Sequence, residues 1–190
     1  MRALLFLSCH TRLDISFPLN LLERYSSCPA RRHWSGVKQL FCYLQGTNMG
    51  LCYTIPFERN LDGFADAADM SDPHTGRSQT GYVFISSNTV ISWRSVKKKM
   101  STTTSNHAEI LAIHEASQEC VWLRSVIQHI RESCGICSGQ EAPTVKSGDI
   151  VVQKIRSSDN LADLFTKALP TTTFKKLVHG IGMQRLDELN

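Results

Sequence analysis

The sequence predicts an α/β fold, and three observations carry the prediction. A short acidic strand, Gly63-Phe64-Ala65-Asp66-Ala67, comes first. Two apolar runs rich in β-branched and aromatic residues, Thr80 to Ile85 and Thr89 to Trp93, flank Ser86-Ser87-Asn88 and read as a hairpin. Downstream, Glu109, Ile113, Ala116, Cys120, Leu123, Ile127 and Ile130 recur at steps of four and three, so they share one face of a long helix. All but Glu109 are apolar or small. The stripe is therefore expected to pack on the sheet, with one carboxylate at its head.

The remaining elements follow in chain order. Trp34, Val37, Phe41 and Leu44 fall on one helical face, charged residues Arg31, Arg32, His33 and Lys38 accompany them, and Gly46 is a C-terminal stop. Gly50 to Ile55 reads as a short strand, and the stretch from Pro56 links it to the acidic strand. Asp69 to Gln79, rich in Asp, Pro, Gly and Ser, reads as a loop. Lys97-Lys98-Lys99 form a basic connector between hairpin and long helix. Ile150, Val152 and Ile155 alternate with polar positions as in a strand. Ser157 to Asn160 then offer N-caps for a helix over Leu161–Lys167. Pro170 ends that helix, and Thr171 to Thr173 start a last one carrying Phe174, Leu177, Val178 and Ile181.

Composition sets wider bounds. With 190 residues, 42% hydrophobic and 20% charged, the chain is one domain or a small domain with an appendage. A net charge of +4 and a pI near 8.7 permit a polyanionic partner without demanding one. Seven cysteines at irregular spacing form no disulfide framework and suit a reducing, intracellular setting, cytoplasmic or nuclear. Cys134 and Cys137 make a lone CxxC with no second pair nearby, which favours a loop over a zinc site. No run of about 18 apolar residues predicts a membrane span. Ala3 to Leu7 could be scored as a signal sequence, but Arg12 and Asp14 follow with no convincing cleavage site.

Asp66 and Glu109 are the first candidate site. Buried acids repel each other and lose hydration, so a convergent pair needs a cation or dedicated hydrogen bonds. Each residue also has an ordinary reading. Glu109 follows Asn106 by three positions, as in a capping box, and Asp66 could be a turn acid. Asp163 could be an ordinary first-turn acid. Arg94, Lys97, Lys98 and Lys99 are either solvated surface or point charges for phosphates.

The run from Gly63 to Ile127 closely resembles the ribonuclease H domain of copia-type retrotransposon Pol polyproteins. Gly76-Arg77-Ser78-Gln79-Thr80-Gly81-Tyr82-Val83-Phe84, Ile91-Ser92-Trp93-Arg94-Ser95 and Ala108-Glu109 occur in that family's order and spacing. The stretch from Arg2 to Thr54 resembles the end of the family's reverse transcriptase, with Leu13 where a Pro is usual. The resemblance implies a ribonuclease H-like mixed sheet flanked by helices, preceded by a mainly helical thumb and connection remnant. Residues 1–55 would be that remnant, 56–61 a linker and 62–190 the ribonuclease H-like domain. It further implies that Asp66, Glu109 and Asp163 are three of four carboxylates holding two Mg²⁺ ions, with Mn²⁺ a possible substitute. Such ions, about 3.5–4 Å apart, clamp the attacking water and the leaving oxygen when RNA is cut in an RNA–DNA hybrid.

The sequence departs from the family after Val145. There the family completes a central strand ending in the third acid, whereas this chain passes directly to Lys146 and a segment like the family's last strand. Several dozen residues are missing by that comparison, and Asp149 is no substitute by position. The expectation is a sheet without its central strand, with hybrid cleavage impaired or lost. The alternatives are a non-catalytic nucleic-acid-binding remnant and an inert, decayed or mis-spliced fragment. No polymerase activity is expected, since the family's paired aspartates lie upstream. Partners by resemblance are an RNA–DNA hybrid or other nucleic acid and the rest of the Pol polyprotein, with no membrane.

Overall fold

The structure is a computed structural model that describes residues 1–53, 61–68, 78–97, 105–133 and 150–188. It is a mixed α/β arrangement. Three strands, β2 (Leu61–Ala68), β3 (Gln79–Ser86) and β4 (Thr89–Lys97), form an antiparallel sheet in that order. The predicted hairpin is β3–β4, closed by two residues. Ser87 and Asn88 both have positive φ, 51° and 62°, so the turn is of the type I′ kind whose twist matches the flanking strands. Left-handed backbone is costly for residues with a Cβ. Asn88→Gly is therefore expected to raise stability by up to about 1 kcal/mol, read as a higher denaturation midpoint; a lower midpoint would contradict this turn geometry.

Strand alternation gives the sheet two distinct faces. Tyr82 and Phe84 face α4 (Ser105–Ser133) and pack with Ala116 and Leu123. Val83 and Ile85 face the opposite way, into a core with Leu13, Phe165, Leu177 and Ile181. Leu13, the departure from the family's usual Pro, is fully buried there. The helix after Pro170 is confirmed as α5 (Thr171–Gly180), with Leu177, Val178 and Ile181 buried as expected.

Helices α1 (Arg2–His10), α2 (Ser16–Glu23) and α3 (Arg31–Gly46) make a second cluster around Leu4, Ile15, Leu19 and Val37. α3 ends at Gly46 as predicted, but its buried side is Val37 and Leu40. Trp34 and Phe41 are about half exposed. These helices also touch the sheet directly, with the Trp93 indole N–H donating to the Ser8 carbonyl at 2.8 Å.

Four expectations need correction. The buried stripe of α4 is Ala108, Ala112, Ala116 and Leu123, while Glu109, Ile113 and Ile130 are exposed. Small alanines let the helix approach the sheet closely, and that contact selects the face. Residues 150–156 pair with no strand among the described residues, and Ile150, Val151, Val152 and Ile155 are exposed. The segment joins neither edge strand of the sheet, β2 or β4. Leu161–Phe165 is a tight 3₁₀ helix, not an α-helix. The strand near Gly50 is the three-residue β1 (Met49–Leu51), paired antiparallel with β5 (Met183–Arg185), a partner not foreseen.

The linker from Pro56 to Asn60, the loop up to Arg77, Lys98, Lys99, the Cys134–Cys137 pair, the Val145–Lys146 join and Asp149 lie outside the described residues. No helix among the described residues is long and apolar enough to cross a membrane.

Candidate functional site

Two of the three predicted acids meet. In β2, Asp66 stands opposite Gly81 and shares the sheet face on which the Leu161–Phe165 helix sits. Asn160 opens that helix by accepting from the Ala162 N–H at 3.1 Å. The same side chain donates to the Ala65 carbonyl at 3.1 Å, tying the helix start to β2. The Ser95 hydroxyl fixes the other end by donating to the Phe165 carbonyl at 2.6 Å.

A buried polar network supports this seat. Gln79, fully buried, donates to Ser95 Oγ at 2.8 Å and to Asn20 Oδ1 at 3.1 Å. Asn20 donates to the Ser95 carbonyl at 3.0 Å, and Arg24 donates to Gln79. Four elements are thereby joined through side chains that hydrogen-bond to each other.

Within the seat, the Thr166 hydroxyl donates to Asp66 Oδ2. The Lys167 ammonium lies 2.9 Å from Asp163 Oδ1 and 3.6 Å from Asp66 Oδ2. Ser157 donates to the other Asp163 oxygen at 3.3 Å. Asp163 is 5% exposed, Asp66 16% and Lys167 34%. Asp163 Oδ1 is buried, and the Lys167 ammonium 2.9 Å away is its partner.

The electrostatics follow from burial. Loss of hydration, with Asp66 adding repulsion, raises the Asp163 carboxyl above its ordinary range, although Lys167 and Ser157 oppose this. Burial pulls the Lys167 ammonium down, but Asp163 and Asp66 outweigh it and hold the group above its ordinary value. Lys167, Thr166 and Ser157 were not recognised as site residues. Lys167 is four positions after Asp163, a spacing at which opposite charges meet on one helical face, and that was the available signal.

Glu109 is placed differently. It is exposed on α4, which packs on the sheet face opposite to the one carrying Asp66. Near that helix, Glu115 and Glu119 reach the sheet instead, accepting from Thr80 at 3.4 Å and Ser92 at 2.7 Å. Arg94 is exposed, and strand alternation puts it and Lys97 on opposite faces of β4.

The residues present do not fit a pair of Mg²⁺ ions. Carboxylate oxygens suit that hard cation, but of the three predicted acids only Asp66 and Asp163 meet, and both turn an oxygen to one ammonium. Among the described residues no group of three or more His, Cys, Asp and Glu is placed to hold a metal ion.

The fold is thus a mixed α/β chain built around a buried two-carboxylate seat, and comparison with known proteins supports a retrotransposon Pol fragment. The chain is 28% identical to the retrovirus-related Pol polyprotein from transposon TNT 1-94 of Nicotiana tabacum over 210 residues, covering 95% of the chain and 16% of that protein. It is 27% identical to the corresponding polyprotein from transposon RE1 of Arabidopsis thaliana over 206 residues, covering 93% and 14%. The chain therefore spans about a sixth of these polyproteins or less. A third relative, the secreted RxLR effector protein 161 of Plasmopara viticola, is 35% identical over 122 residues, covering 64% of the chain and 86% of that protein. The chain belongs to the same family as that protein. No protein-family model and no solved structure matches.

Proposed function

We propose that this chain is a ribonuclease H-derived piece of a copia-type Pol polyprotein in which two-metal cleavage of RNA–DNA hybrids is lost. The observation that carries the reading is the meeting of Asp66 with Asp163, 97 positions apart in sequence, beside Thr166. These are two of the three acids that the resemblance assigns to one metal site. Loss of the chemistry is supported by the donor set. The third family acid has no counterpart, Glu109 is exposed on α4, and an ammonium stands between the remaining pair.

The internal deletion also has support. The alignments to the two plant polyproteins run over 210 and 206 positions, more than the 190 residues of the chain, so those relatives carry residues that it lacks. Genomic sequence around codons 145 and 146 tests whether a missing strand is encoded there.

The expected biochemical result is no Mg²⁺- or Mn²⁺-dependent cutting of the RNA strand in an end-labelled hybrid. Robust cutting that disappears in Asp66→Asn would overturn the reading. The nucleic-acid contact proposed for Arg94, Lys97, Lys98 and Lys99 is tested separately, by a salt titration of hybrid binding. A charge cluster that neutralises phosphates makes log K fall nearly one unit per decade of salt for each phosphate on a duplex. Replacing Lys97, Lys98 and Lys99 together by alanine is expected to flatten that slope, and equal slopes would remove the lysines from the interface.

A further inference from the structure

We propose that Lys167 is the resident cation of the Asp66–Asp163 seat and that it excludes divalent metal from this site. The inference rests on the geometry of the seat and holds whether or not the chain ever meets a nucleic acid.

Two carboxylates this close, one of them 5% exposed, require positive charge between them. A bound metal or a side chain can supply it. Here the ammonium reaches both oxygens, at 2.9 Å and 3.6 Å, from a position four residues beyond Asp163. It is therefore tethered by the same short segment as one of its partners, and its effective concentration at the site greatly exceeds that of a free ion.

The burial of Asp163 Oδ1 against this ammonium is the second observation. That atom is buried, with the Lys167 ammonium 2.9 Å away. Lys167 is its cationic partner among the described residues, so removing the ammonium leaves a buried carboxylate oxygen without a counter-charge. Asp66 Oδ2 would face the same space, held in place by Thr166. Together they offer two hard oxygen donors, which Mn²⁺ or Mg²⁺ can use with water completing the shell.

The distinction has consequences for the chain. A metal-filled site loses its cation to chelators and regains it from solution. A lysine-filled one is indifferent to both, and its folding does not depend on divalent ions. Lys167 is thus a positioning and charge-balancing residue, not a catalytic one.

The test titrates Mn²⁺ against the full chain and its variants, followed by the free-ion electron paramagnetic resonance signal. The parent is expected to take up no Mn²⁺ at this seat at millimolar concentration. Lys167→Met is expected to bind one equivalent, and Lys167→Met combined with Asp66→Asn to weaken that binding at least tenfold. Uptake by the parent that Asp66→Asn abolishes would overturn the proposal, as would a folded Lys167→Met chain that binds no Mn²⁺.

A second measurement uses the parent alone and decides the matter if Lys167→Met fails to fold. Acetylation of Lys167, followed by peptide mass spectrometry, is expected to proceed at the same rate with and without Mg²⁺. A several-fold acceleration by Mg²⁺ would mean that metal displaces the ammonium, and the proposal would fall. Hybrid cleavage is not read in either experiment. A parent that excludes Mn²⁺ yet cuts hybrids overturns the functional reading alone, and one that binds Mn²⁺ at the seat without cutting overturns this proposal alone.

Discussion

Phe165→Ala is expected to cost about 3–5 kcal/mol, a large share of the roughly 5–15 kcal/mol that holds a domain together. Phe165 is fully buried and joins the sheet to α5 through the core that also holds Leu13, Val83 and Leu177. Truncation removes a ring's worth of contacts, and the surrounding strands and helix cannot collapse fully into the space. The backbone at this residue also carries the seat, since Ser95 donates to its carbonyl and Thr166 follows it directly.

The same joint can be attacked from the other side. A Cβ at Gly81 would lie 2.5 Å from Phe165 Cβ, 3.1 Å from the Arg94 carbonyl oxygen and 3.2 Å from Thr166 Cγ2. None of these is the free end of a flexible side chain, so Gly81→Ala must push the 3₁₀ helix off the sheet. Overpacking of this kind typically costs about 1–3 kcal/mol. Equilibrium denaturation in urea measures both. A Phe165→Ala chain within about 1 kcal/mol of the parent would show that this ring does not hold the 3₁₀ helix and α5 to the sheet.

Asp14→Ala should be comparably damaging, by about 3–5 kcal/mol. The Asp14 side chain is fully buried, and Arg12 grips it with two parallel bonds, Nε at 3.0 Å and Nη2 at 2.8 Å. Tyr43 donates to the same carboxylate at 2.7 Å, and Arg12 also donates to Thr47 at 2.9 Å. Burial, reinforced by the Asp14 charge, raises the Tyr43 hydroxyl well above its ordinary range, so it remains a donor at any working pH.

Truncating Asp14 would strand a guanidinium that is only 10% exposed. The cost is chiefly that of the charge left behind, not the net worth of the pair. Arg12→Met combined with Asp14→Leu should therefore recover most of the loss, because both charges leave together. The prediction is checked by denaturation of the two single variants and the double. A double variant as unstable as Asp14→Ala would show that packing, not the uncompensated charge, sets the penalty.

Local sequence determined the parts of this protein whose physics is local. The β3–β4 hairpin was legible because β-branched and aromatic runs flank a two-residue turn able to take positive φ at Ser87 and Asn88. Asn160 as a cap, the stop at Gly46 and the apolar side of α5 were legible for the same reason. Asp66 is a candidate from the acidic strand and Asp163 from the resemblance, and the fold brings them together.

Tertiary contact decided the rest. Apolar residues line more than one side of α4, so periodicity left its buried face open until the helix settled on Ala108, Ala112 and Ala116. That choice left Glu109 exposed and separated α4 from the face that carries Asp66. Alternation in 150–156 could suggest a strand but could not supply an edge to pair with, and β1 found its partner, β5, more than a hundred residues away. The cation between the two aspartates was decided in the same way. A lysine four positions after an acid is common on solvated surfaces, and only the approach of β2 made Lys167 the shared counter-charge of the buried Asp163 and the partly buried Asp66.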